Sequence, residues 1–290
     1  MRVFIYGQRW EEDNGKYIDL LLRKLQAEDI DYKIYEAFAQ QMPQKISLSL
    51  CLSSHGELKE YNPDFIITLG GDGTILAATT IIQGLETPIV GINLGRMGFL
   101  ASIEQERIET AIDQLIKKEY TISPRSMILL ESNPKIFTSK NFALNDFTIL
   151  KRDDSSMIVI HTFIDGVFLN SYWADGLIVS TPTGSTGYSL SCGGPIIFPE
   201  NNSFILTPVA PHNLNVRPML LSNDHVISLK VEGRTDNFLC TLDSRHKVLT
   251  TDHEITIKKN NFVSNLVSLE GDNFMQTIRN KLNWGLDKRN

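Results

Sequence analysis

The fold class predicted by this sequence is an open, Rossmann-like α/β domain followed by a β-rich, sandwich-like one. Three observations predict it. Before Ser123-Pro124, strands that are apolar throughout alternate with amphipathic helical stretches, which is the pattern of a parallel sheet covered on both faces. Between residues 125 and 270 strands follow strands with almost no helical periodicity. At 290 residues, the chain is long enough for two ordinary domains with their own cores. The expected divisions are 1–124, 125–270, and a C-terminal helix within 271–290 that packs back on the first domain.

Element by element, Val3 to Tyr6 reads as a buried strand, and Ile18, Leu21, Leu22 and Leu25 follow at helical spacing. Tyr32 to Tyr35 predicts a second strand, and residues 44–53 read either way. Asp64 to Leu69 is a continuous apolar strand leading into glycines and a helix from Thr74. Pro88 to Asn93 predicts another strand, and Ile108, Ala111, Ile112, Leu115 and Ile116 trace a helical face. In the second half, Met127–Glu131, Phe142–Leu150, Met157–Ile164 and Val167–Trp173 read as strands, with Asp165-Gly166 as a hairpin turn. Ile227, Leu229, Val231 and then Ile255 and Ile257 alternate with polar neighbours. Phe274, Met275, Ile278 and Leu282 predict the final helix.

Composition narrows the function classes. The net charge of −6 provides no basic field for nucleic acid or anionic lipid. Three scattered cysteines, Cys51, Cys192 and Cys240, form neither a disulfide framework nor a four-thiolate zinc site, so a reducing cytoplasm is expected. The apolar window from Phe65 to Ile82 carries Gly70-Gly71-Asp72-Gly73 at its middle, which argues against a membrane span. The six histidines show no metal-binding spacing, and no protein-held metal is expected.

Two segments carry the chemistry. Gly70-Gly71-Asp72-Gly73-Thr74 joins a strand to a helix, where glycines bring backbone N–H groups close to an anion and the helix dipole favours it. Asp72 would repel a phosphate unless it takes a proton, holds Mg²⁺ or grips a hydroxyl, and all three jobs belong to phosphoryl transfer onto an alcohol. A tight turn with Asp72 or Thr74 capping the helix satisfies the same residues. The second segment runs from Asp175 to Pro195 and is dense in hydroxyls and glycines around one aromatic, Tyr188. It can hydrogen-bond a ribose and base edges and cover a ring, whereas a solvated Ser/Thr loop is the plainer alternative. In Gly91 to Leu100, Arg96 is placed to meet a phosphate. Asn145-Asp146 offer an amide and a carboxylate suited to a sugar diol, or else a strand-end turn.

Together these segments resemble the NAD kinase family. Gly70–Thr74 is similar to that family's GGDGT motif, and Asp175–Pro195 to its signature DG-x-x-x-STPTGST-x-Y-x-x-S-x-GGP. Asn93–Leu100, Asn145-Asp146 and Leu206 to His212, with Arg217-Pro218, resemble further family segments. GGDGT alone is shared with lipid kinases; the longer signature separates the two. The resemblance implies transfer of the γ-phosphoryl of ATP to the 2′-hydroxyl of the adenosine ribose of NAD, giving NADP. It implies Asp72 as the base, with Gly73 beside it. Asn145, Asp146, Asp175, Thr183, Thr186, Gly187, Tyr188 and Ser191 would line the NAD site, with Phe99, Ala210 and His212 at its edges. Mg²⁺ or another divalent cation would arrive with ATP. A cytoplasmic homo-oligomer, tetramer or dimer, with no nucleic-acid or membrane partner, is also implied.

The sequence departs from the family pattern in four places. Asp146 stands where Glu is usual, and Gly187 where Ala is common. Trp173-Ala174 precede Asp175 where many members carry a basic residue. Leu242-Asp243-Ser244-Arg245 lacks the Gly often found after that Asp. A silent NAD(P)-binding sensor would keep the pocket without turnover, and a lipid kinase would want a membrane-facing surface that the sequence does not show.

Overall fold

The structure, a computed structural model, describes residues 1–95, 97–152 and 157–284. The chain folds as two compact units, Met1–Pro124 with Ser264–Asn290, and Arg125–Val263.

The first unit opens with β1 (Arg2–Gly7), α1 (Gly15–Ala27), β2 (Asp31–Tyr35), α2 (Glu36–Ala39), β3 (Cys51–Leu52) and α3 (His55–Tyr61). It continues with β4 (Phe65–Leu69), α4 (Asp72–Ile82), β5 (Ile89–Asn93), β6 (Ile103–Glu104), α5 (Ile108–Lys117) and β7 (Tyr120–Arg125). The periodic residues of α1 are the ones buried, Ile18, Leu21, Leu22 and Leu25; on α5, Ile116, read onto the helical face, is exposed, whereas Ile108, Ala111, Ile112 and Leu115 are buried. They share a core with Val3, Ile5, Ile67, Val90 and Ile92 from the strands. β1 pairs in parallel with both β2 and β4, and β4 with β5. The chain thus builds the sheet outward in two directions from β1, leaving a crevice at the carboxyl ends of β1 and β4 where such sheets bind ligands.

The second unit contains β8 (Ile128–Asn133), β9 (Phe142–Ala143), β10 (Asp146–Lys151), β11 (Ile158–Ile164), β12 (Val167–Ala174), β13 (Gly176–Ser180) and the short helix α6 (Tyr188–Ser191). It ends with β14 (Ser203–Val209), β15 (Met219–Ser222), β16 (Ile227–Glu232), β17 (Phe238–Leu242), β18 (Arg245–Leu249) and β19 (Glu254–Lys259). These form two six-stranded sheets, ordered β15-β14-β13-β10-β17-β18 and β12-β11-β16-β19-β8-β9. Their inner faces meet in one core that includes Phe147, Val179, Phe204 and Phe238 from the first sheet and Ile160, Leu229 and Ile257 from the second. Asp165-Gly166 turns the hairpin with both residues at positive φ.

Two features differ from the sequence expectation. The β-rich unit ends at Val263, because β20 (Ser264–Leu269) leaves it and pairs in parallel with β5 through Leu266 and Ile89. Asn145-Asp146 do not lie inside one strand: the ladder breaks between β9 and β10, and Asn145 sits in the gap. The last helix, α7 (Phe274–Leu282), follows β20 in the first unit. Arg107 pairs with Asp272 at 2.7 Å, and the Lys281 ammonium donates to the carbonyl of Met97. Among the described residues, no helix is long and apolar enough to cross a membrane.

Candidate active site

In the first unit, the apolar strand β4 ends at Leu69, and the glycines turn the chain into α4. Gly70 has φ +148°, and a Cβ there would lie 2.2 Å from Thr74 Oγ1, so the turn requires glycine. Asp72 is the first residue of α4, with Gly71 at the N-cap and Gly73 exposed beside it. Its side chain does not cap its own helix. It reaches across to the loop after β5 and accepts three backbone hydrogen bonds, from Phe99 N (2.8 Å, to Oδ2) and from Leu100 N and Ala101 N (each 2.9 Å, to Oδ1). Gly98 makes this approach possible, since a Cβ there would fall 1.8 Å from Asp72 Oδ1. The loop is itself braced by Asn93, whose amide donates to Ala101 O and whose Oδ1 accepts from Gly95 N.

Phe99 therefore meets Asp72 through its backbone. A carboxylate offers about four lone-pair sites; three are filled, and the remaining one lies on Oδ2. Beside this clamp, Gln8, Arg9, Gly70, Gly71, Thr74 and Asn93 help line a cavity of about 590 Å³ at the carboxyl ends of β1, β4 and β5. Sequence reading missed Gln8 and Arg9. The signal was available, since they directly follow a buried strand whose carboxyl end borders the crevice. Arg96, singled out as a phosphate contact, lies outside the described residues.

In the second unit, the gap between β9 and β10 is pinned from two sides. Asp243, in the hairpin between β17 and β18, accepts from Leu144 N (3.0 Å), Asn145 N (2.8 Å) and Asp146 N (3.2 Å), and its own N–H donates to Asp146 O. Arg245 donates to the carbonyls of Lys140 and Phe142. From the other side, Thr181 donates through N to Asn145 O and through Oγ1 to Leu144 O (2.6 Å). The result presents an unpartnered, buried Asn145 Oδ1 and the buried carboxyl of Asp146. Burial, and after it the nearby charge of Asp243, pushes the Asp146 pKa up to about 7. Burial raises Asp243 as well, although its three N–H donors and Arg245 pull it back.

The hydroxyl-rich loop packs on this turn. Thr183 is buried, Thr186 Oγ1 donates to Thr183 O, and Ser189 Oγ shares a 2.7 Å hydrogen bond with Thr207 Oγ1. A Cβ on Gly187 would sit 3.6 Å from Asn145 Nδ2 and 3.9 Å from Asp146 Oδ2, so two departures from the family pattern adjoin each other and leave extra room. Tyr188 and Ser191 are exposed at the two ends of α6, and burial, then Cys192, with the carboxylates of Asp146 and Asp175 after them, raise the Tyr188 hydroxyl above its ordinary value. Asp175, Ala210 and His212 gather at the opposite end of β13: Asp175 N donates to Val209 O and His212 N to Trp173 O. Ala210 is held at φ +44°, a conformation costly for a residue with a Cβ. The structure thus brings Asn145, Asp146, Thr183, Thr186, Gly187 and Tyr188 together, and Asp175, Ala210 and His212 into a second group.

Models of the ATP-NAD kinase N-terminal domain and C-terminal domain match residues 33–120 and 144–269. The chain belongs to the NAD kinase family. It is 48% identical over 99% of both chains to the NAD kinase of Cytophaga hutchinsonii, and 37% identical over the full length of both to that of Bacteroides fragilis. Among solved structures, it matches an NAD kinase from Archaeoglobus fulgidus in complex with ATP at a TM-score of 0.74, with 28% identity over 98% of each chain. Yeast NADH kinase complexed with NADH shares the fold, at a TM-score of 0.86 and 22% identity over 99% of this chain and 88% of that one.

Proposed function

We propose that this protein carries out its family's reaction, with Asp72 as the acceptor of the 2′-hydroxyl proton when the γ-phosphoryl of ATP passes to the adenosine ribose of NAD. The supporting observation is the clamp on Asp72. Three N–H donors fix both carboxylate oxygens and leave one lone pair of Oδ2 for a hydroxyl. Phosphoryl transfer asks the protein mainly for positioning and charge neutralisation, because its transition state is loose. A fixed acceptor aligns the hydroxyl before its proton moves. The cavity next to the clamp, with the Gly71 backbone amide and the Arg9 cation, suits the phosphates of ATP; the Gly70 N–H donates to the carbonyl of Ile92.

In the second unit, Asp146 accepts from the sugar diol, and Asn145 Oδ1 accepts from a donor on the dinucleotide. Thr183, Thr186, Gly187, Tyr188 and Ser191 shape the same site; Asp175, Ala210 and His212 form its far end, and Gly73 and Phe99 flank Asp72. Among the described residues, no group of three His, Cys, Asp or Glu side chains stands ready to hold a metal. Magnesium would enter with ATP and neutralise phosphate charge there. The three free cysteines fit a reducing cytoplasm. Exposed Met219 and Leu220 on the edge strand β15, and Val167 and Phe168 on the edge strand β12, fit assembly into a homo-oligomer.

The test is NADP formation from NAD and Mg-ATP by the wild type and by Asp72→Asn. Turnover that the variant loses, with NAD binding retained, is the expected result. A folded wild type that binds NAD without turnover would instead establish a sensor.

A further inference from the structure

The carboxylate of Asp72 is only as well placed as the loop that supplies its donors. Phe99, Leu100 and Ala101 give that carboxylate their N–H groups, and the turn presenting them is closed by Gly98 N donating to Ala101 O at 3.4 Å. On the C-terminal side of the turn, the Asn93 amide holds Ala101 O at 3.2 Å. On the N-terminal side the support comes from a distant part of the chain: the Lys281 ammonium, in the last turn of α7, donates to Met97 O. Met97 lies two residues before the first clamp donor. The helix is itself tied down, so it can serve as an anchor. Asp272, just before it, pairs with Arg107 at 2.7 Å, the Asn273 side chain caps it by accepting from Gln276 N at 2.8 Å, and Ile278, one turn before Lys281, is buried. Between helix and loop the packing is incomplete. A cavity of about 290 Å³ is lined by Met97 and Ser102 on the loop side and by Thr277 and Asn280 on the helix side. The loop therefore has room to fall back from Asp72, and a polar strut spans the space that side chains do not fill.

We propose that Lys281 is a positioning residue for the reaction, a strut from α7 that holds the 97–101 loop against Asp72 and so keeps the free lone pair of Oδ2 aimed at the acceptor hydroxyl. The inference rests on the function proposed above. An ammonium donating to a carbonyl makes a charge-assisted hydrogen bond, stronger than a neutral one. Without it the loop samples displaced positions, and those contribute little to turnover, since a misplacement of about 1 Å costs about a hundredfold. Turnover then falls with the fraction of molecules whose loop stays in place. The Asn145-Asp146 turn belongs to the other unit and does not depend on Lys281, so dinucleotide affinity is spared.

The experiment pairs steady-state kinetics of the full-length protein, with NAD and Mg-ATP, with amide hydrogen exchange, which does not depend on turnover. Lys281→Met should lower kcat by about three- to tenfold, the range for one hydrogen bond, and leave the KM for NAD within about twofold. Amides in the 97–101 segment should exchange about three- to tenfold faster in the same variant, as a locally loosened loop requires. Lys281→Arg, which keeps a cationic donor, should return both readouts towards the wild type. Lys281 is exposed, and Lys281→Gln, whose shorter amide does not reach Met97 O, decides the matter alone if Lys281→Met does not fold. An unchanged kcat, unchanged exchange over 97–101, a loss that Lys281→Arg does not restore, or a raised KM at constant kcat would overturn the assignment while leaving the kinase reading intact. A folded wild type without turnover would overturn both.

Discussion

Asp146→Asn should make the protein more stable at neutral pH while weakening its hold on NAD. The Asp146 carboxyl is buried, with the charge of Asp243 nearby and the Tyr188 hydroxyl within electrostatic reach. Its pKa rises from 3.8 to about 7 on folding. Below pH 4 both folded and unfolded chains carry the proton, so the group costs nothing. Between pH 4 and 7 the unfolded chain ionises while the folded one holds its proton, and stability falls as pH rises. Above pH 7 both are ionised and the cost is constant. A shift of this size corresponds to an upper bound of about 4 kcal/mol. At about 2–4 °C per kcal/mol, the variant should melt up to about 8–16 °C above the wild type at pH 8 and level with it at pH 4. Thermal unfolding of both proteins across that range tests the sign. A difference that does not grow with pH would refute the buried, proton-retaining Asp146.

Other substitutions probe the two clamps. Asp72→Asn should lower kcat by about two to four orders of magnitude, the usual contribution of a positioned acid or base, with the Kd for NAD little changed. Gly98→Ala forces a methyl to within 1.8 Å of Asp72 Oδ1; displacing the clamp by about an ångström should cost about a hundredfold in kcat, read in the same steady-state assay. Arg245→Met removes the guanidinium from the carbonyls of Lys140 and Phe142 and from the neighbourhood of Asp243. It should destabilise the protein by about 1–3 kcal/mol and raise the KM for NAD more than it lowers kcat.

Local pattern revealed what depends on local pattern. Apart from Ile116, the helical faces of α1 and α5 and the apolar strands β1, β4 and β5 are buried as their spacing predicts, because periodicity and burial are the same fact seen twice. The expected boundary at residue 270 takes β20 into the β-rich domain, because its partner, β5, lies about 170 residues earlier and nothing in Ser264–Leu269 names that partner. α3 was missed because it buries only Leu58, although its capping box, Ser54 with Glu57, was present in the sequence. Within the site, the residue types were legible and their supports were not. Asn145-Asp146 read as part of a strand until Thr181 and Asp243 are seen to capture the backbone on either side.

The two units use one device for two purposes. In each, a single carboxylate accepts hydrogen bonds from three consecutive backbone N–H groups: Asp72 from residues 99–101 and Asp243 from residues 144–146. Consecutive amides converge in this way only when the chain leaves regular structure, so each carboxylate holds open a break that a helix or strand would close. The difference lies in what the break presents. Around Asp72 the loop serves the carboxylate, which keeps a lone pair for a hydroxyl. Around Asp243 the carboxylate serves the loop, and the groups left over belong to Asn145 and Asp146. Replacing Asp72 should therefore act chiefly on turnover, with dinucleotide binding little changed. Asp243→Asn should act chiefly on dinucleotide affinity, because an amide oxygen cannot hold three N–H donors as a carboxylate does.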